Sequence, residues 1–106
     1  MIHIKFYSLK GEVNGFEISG HSGYAEQGSD IICASVSSCA YMVANTVTDV
    51  LNIEAEIEID EAYLCFTVAE KNAAKIKDVM QGFEMHMKAL ASDYSDYIVC
   101  EKEIIQ

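Results

Sequence analysis

His21 and Cys33 stand twelve positions apart in the stretch GHSGYAEQGSDIICASVS, which covers residues 20–37. A thiol becomes a nucleophile when it is held as thiolate with a base in hydrogen-bond range, whatever the order of the two in the chain. Gly20, Gly23 and Gly28 bound the loop that carries His21, so the backbone there can fold the imidazole back over the start of the next element. That element reads as a helix. Ser29 or Asp30 makes its N-cap and puts Cys33 in the first turn, where the positive end of the helix dipole favours thiolate. Backbone amides around Cys33 and Ala34 are then candidate donors for an oxyanion. Ser37, four positions after Cys33, falls on the same helix face one turn along. Asp30 has two uses open to it, capping the helix or orienting His21.

Other chemistry competes for the same residues. A cysteine packs well as a small core side chain, and a loop histidine is commonly just solvated. An activated thiol is also open to oxidation, so a redox switch at Cys33 stays in play. Zinc held by His21, Cys33 and Cys39 fits poorly, because a six-residue helical step turns the side chain about 120° away. Neither a metal nor any other cofactor is expected. Cys39, Cys65 and Cys100 fall in ordinary core or strand patterns, and His3 and His86 read as surface residues.

The elements that must position this pair can be read from hydrophobic periodicity. Ile2–Ser8 alternates with period two, Lys10-Gly11-Glu12 reads as a turn, and Val13–Ser19 completes a hairpin. From Ile31 to Asn52, Val36, Ala40, Val43, Val47 and Val50 recur at steps of three and four, which predicts an amphipathic helix. Its many β-branched residues make it dependent on burial. Glu54–Ile59 alternates strictly, with the acids toward solvent, and turns near Asp60-Glu61 into Tyr63–Val68 as a second hairpin. Asn72–Ser92 has its apolar stripe on Ala73, Ile76, Met80, Phe83, Met87 and Leu90, and Tyr97–Glu101 reads as a last strand. The order β-β-α-β-β-α-β predicts a single α+β domain, residues 1–106, with two helices packed on a mixed or antiparallel sheet.

The totals limit the partners. Seventeen acidic residues face seven lysines and no arginine, for a net charge of -10, so direct nucleic-acid binding is disfavoured and basic partners are attracted. The start of the chain does not read as a signal peptide, and no stretch reads as a membrane span, so a soluble cytoplasmic protein with no membrane partner is expected.

Gly20-His21 followed by Gly28-Ser29-Asp30-Ile31-Ile32-Cys33-Ala34-Ser35-Val36-Ser37 resembles the signature of the ribosomal-processing cysteine protease family, Prp. The similarity covers the whole chain in length, element order and acidity, and it is specific in this one segment. It implies a Cys-His dyad of His21 and Cys33, with Gly20, Asp30 and Ser37 as motif neighbours. It also implies an endopeptidase that trims the amino-terminal extension of large-subunit ribosomal protein twenty-seven after a hydrophobic motif ending in Phe-Phe. A basic ribosomal protein as substrate and a homodimeric state come with it. The rival of another class is a binding module without catalysis, whose acidic surface holds a basic ribosomal protein.

Overall fold

Lys10 and Gly11 reverse the chain with positive φ at both positions, 53° and 84°, the geometry that matches the twist of a two-residue hairpin. On either side run β1 (Ile2–Leu9) and β2 (Glu12–Ser19), paired antiparallel. The computed structural model describes residues 1–25 and 30–105. Along β1 the side chains of Ile2, Ile4 and Phe6 point into the core, and along β2 those of Phe16 and Ile18 do so. A second hairpin, β3 (Glu56–Asp60) and β4 (Tyr63–Thr67), joins the first through an antiparallel β2–β4 ladder. The last strand, β5 (Ile98–Ile105), lies parallel to β1 at the other edge. The sheet is therefore mixed, in the order β3-β4-β2-β1-β5.

Two helices cover one face of this sheet. The first, α1 (Ile31–Asn45), sends Ile32, Val36, Ala40 and Val43 inward. The expected helix to Asn52 does not keep one pitch: Thr46–Val50 forms a wider π-helical turn. Thr46 and Thr48 donate their hydroxyls to the carbonyls of Met42 and Ala44, at 2.7 and 3.1 Å, and such back-bonding competes with the regular ladder. Together these twenty residues are long and apolar enough to cross a membrane by length and composition, against the expectation from sequence. Their buried stripe, however, packs into the domain core.

The second helical segment also splits, into a 3₁₀ stretch, Glu70–Ile76, and α2 (Lys77–Asp93). Phe83 of α2 is the centre of the core. Its ring meets Phe6 and Phe16 edge-on at 5.5 and 4.7 Å, and Phe16 stacks on Phe66 at 5.3 Å. Glu84 pairs with Lys88 one turn along and with Lys102 of β5 at 3.2 Å, a tie between helix and edge strand.

β3 departs from its sequence pattern. Strict alternation predicts Ile57 and Ile59 in the core. They do face the helix side, level with buried Phe66 and Leu64, yet they are 46% and 58% exposed. The reason is topological: β3 is an edge strand, and neither helix packs closely against it. That leaves an apolar strip beside the start of α1.

Candidate active site

Asp30 has an extended backbone, φ -77° and ψ 94°, and its side chain accepts the amide hydrogens of Ile32 and Cys33 at 3.1 and 3.0 Å. Those amides are among the first donors of α1, which have no partner inside the helix. The second oxygen of the same carboxylate accepts the hydroxyl of Ser22. Ser22 Oγ in turn accepts the amide hydrogen of Tyr24 at 3.0 Å, and the Tyr24 ring packs edge-on against Tyr97, just before β5, at 5.4 Å. The loop after β2 is thus fastened over the helix start. Its fastening brings the Ser22 amide to the thiol, where N–H donates to Cys33 Sγ at 3.3 Å.

His21 is held through its backbone. Gly20 donates its amide hydrogen to the carbonyl of Ala62 at 2.9 Å, and the His21 carbonyl accepts the amino group of Met1. The imidazole itself is exposed. His21, Cys33, Gly20 and Ser37 line one cleft of about 250 Å³, together with Tyr41 of α1 and Ile59, Asp60 and Tyr63 around the β3–β4 turn. Of the remaining cysteines, Cys39 and Cys100 pack against the core, and Cys65 stands on the open face of the sheet opposite Glu17.

The electrostatics differ from the sequence expectation in two respects. Burial pushes the Cys33 thiol up, and the neighbouring Asp30 carboxylate pushes it further, while the Ser22 amide and hydroxyl pull it down. The net direction is upward, so in this conformation the helix start does not leave a ready thiolate. Burial would raise Asp30 as well, but the hydrogen bonds from Ser22, Cys33 and Ile32 outweigh it and hold the carboxyl at about 2. The second correction concerns the oxyanion donors. The Cys33 amide is spent on the Asp30 carboxylate, and the Ala34 amide on the Asp30 carbonyl at 3.1 Å, so neither is free. Ala34 is exposed on α1 and is not among the residues that line the cleft.

Asp30 therefore acts as the cap. Among the described residues it makes no hydrogen bond to His21, the other use open to it from sequence. Gly23 has φ 76°, a conformation that suits glycine. Gly28 and Ser29, the third glycine of the loop and the alternative cap, lie outside the described residues. Sequence reasoning missed Ser22 and Tyr41. Tyr41 had a signal, since Cys33, Ser37 and Tyr41 step by four along one helix face. Ser22 had none, because its role depends on where the loop folds.

Residues 1–99 match the family model described as cysteine protease Prp. The chain belongs to the Prp family. It is accordingly a cysteine protease, and the two-helix, five-stranded architecture is the Prp fold. The ribosomal processing cysteine protease Prp of Bacillus subtilis strain 168 is 27% identical over 96 residues, covering 85% of this chain and 86% of that protein. A crystal structure of a ribosomal processing protease Prp from S. aureus, holding a covalently linked product peptide, superposes with a TM-score of 0.88. It is 19% identical, and the match spans 97% of this chain and 100% of that one. A Streptococcus mutans protein superposes with a TM-score of 0.83 at 22% identity, over 99% of this chain and 96% of its own.

Proposed function

We propose that this Prp-family protease removes the amino-terminal extension of large-subunit ribosomal protein twenty-seven, with Cys33 as nucleophile and His21 as its base. The observation that carries the reading is the shared cleft: Cys33, at the capped start of α1, faces the same space as His21. His21 accepts the Cys33 proton, and the thiolate attacks the carbonyl carbon of the second phenylalanine of a Phe-Phe-Ala sequence. The tetrahedral adduct collapses as His21 returns the proton to the departing alanine nitrogen. Water, deprotonated by His21, then attacks the thioester and frees the acid and the thiol.

Because the resting thiol is pushed up, His21 must close on the sulfur before it can act. Closure of the loop over bound peptide supplies that approach, with Gly20, Gly23 and Gly28 letting the loop close. Tyr41, Ile59 and Leu64 give the cleft an apolar wall suited to phenylalanine side chains, and Ser37 adds a hydroxyl to the same cleft. A net charge of -10 favours encounter with a basic ribosomal protein in the cytoplasm. The protein works as a homodimer in this reading, and the exposed apolar side chains Met42, Val50 and Ile57 offer surface for the contact.

A peptide carrying the extension through Phe-Phe-Ala, incubated with the reduced protein and read by mass spectrometry, tests the substrate. One cut after the second phenylalanine supports it. An intact peptide, or cuts scattered along it, removes the proposed specificity.

A further inference from the structure

We propose that Ser22 is a positioning residue for the cysteine: its hydroxyl, tied to Asp30, holds its own amide hydrogen on the Cys33 sulfur and so favours the thiolate. This rests on the reading of Cys33 as the nucleophile and adds a residue to its machinery. Ser22 is 3% exposed, although it sits in a loop, and both its hydroxyl and its backbone N–H donate to residues at the helix start. The hydroxyl donates to Asp30 Oδ2 and accepts from the Tyr24 amide, and the backbone N–H donates to Cys33 Sγ at 3.3 Å. A loop residue with only its backbone to offer would point that N–H wherever the loop relaxed. The side-chain tie removes this freedom.

Both effects of the hydroxyl act in the same direction on the thiol. It fixes the amide donor that stabilises the sulfur anion, and it draws charge from the carboxylate that opposes that anion. Removing it therefore weakens the helpful contact and strengthens the opposing one. The other titratable groups at the cleft, among the described residues, stay in place: Asp30 at the cap, His21 on the loop, Tyr41 on α1, and Asp60 and Tyr63 at the β3–β4 turn.

The test is the pH dependence of iodoacetamide alkylation at Cys33, read by peptide mass spectrometry in the wild type, S22A and S22T. For S22A the midpoint is expected to rise by about half to one pH unit, so alkylation below both midpoints slows roughly three- to tenfold. S22T keeps the hydroxyl and is expected at the wild-type midpoint. A purely structural serine would lower the melting temperature and leave the midpoint where it was. A wild-type midpoint in folded S22A overturns the proposal, and so does a midpoint in S22T displaced as far as in S22A. Alkylation is read on Cys33 itself, without peptide substrate. Cleavage retained by C33A would sink the nucleophile assignment and leave this result standing, and the reverse also holds.

Discussion

The carboxylate of Asp30 accepts the amide hydrogen of Cys33 at 3.0 Å while its charge pushes the thiol of the same residue up. Burial is the main cause that keeps the thiol protonated, and the side chain that starts the nucleophile's helix adds to it. The arrangement suits a protease whose thiol is to be deprotonated only when substrate draws His21 in.

Asp30 should dominate the acid limb of stability. Its carboxyl is held at about 2 against an ordinary value of 3.8. A carboxyl lowered by folding stabilises fully above the unfolded value and loses that contribution as pH falls through the folded one. Asp30→Ala is therefore expected to cost roughly 1–2 kcal/mol at pH 6. The gap between wild type and variant in urea unfolding should close as pH drops from about 4 toward 2. A gap of constant size across that range would show that the charge of Asp30 is not what stabilises the helix start.

Gly20 and Gly23 separate two kinds of constraint on the His21 loop. Both have positive φ, 88° and 76°, but a Cβ on Gly20 would lie 2.4 Å from the Met1 carbonyl oxygen, while one on Gly23 meets nothing within 4 Å among the described residues. Gly23→Ala is expected to cost about 1 kcal/mol, the left-handed penalty alone. Gly20→Ala should cost clearly more, with a larger loss of cleavage, because backbone beside His21 must move. Equal melting temperatures for the two variants would mean that the Met1 approach does not hold the loop.

Tyr41 and Ile59 are 48% and 58% exposed, so truncating them should spare the fold. If they form the wall that receives the substrate's aromatic side chains, Ile59→Ser and Tyr41→Ser should each raise KM about fivefold at near-constant kcat, roughly 1 kcal/mol of lost apolar contact. Steady-state kinetics on the Phe-Phe-Ala peptide decides this. An unchanged KM in both places the peptide elsewhere.

What could be read from sequence was the local part. The Lys10-Gly11 turn, a cap at Ser29 or Asp30, most of the buried stripe of each helix and the Cys33–Ser37 step depend on neighbours within a few residues, and the sequence pattern shows them directly. Val50, the last residue of the first stripe, is instead 71% exposed, because the π-helical turn takes it off the buried face. The parallel seat of β5 beside β1 is a long-range choice that no local pattern records. The exposure of Ile57 and Ile59 comes from β3 being an edge, and the same alternation in a central strand would bury them. The direction of the Cys33 shift was misread for a related reason. The dipole of a helix start is a local feature, but burial under the loop and the charge of a capping carboxylate come from the assembled site. Ser22 was invisible because its tie to Asp30 spans a loop whose path the sequence leaves open.

The pairing of Cys33 with His21 is tested most directly by the rate of cleavage of the Phe-Phe-Ala peptide by C33A and H21A, each shown to be folded by its melting temperature. Both are expected to lose about 10⁴-fold or more in kcat/KM against the reduced wild type. Near-wild-type cleavage by either variant would contradict the assignment and place the chemistry outside this cleft.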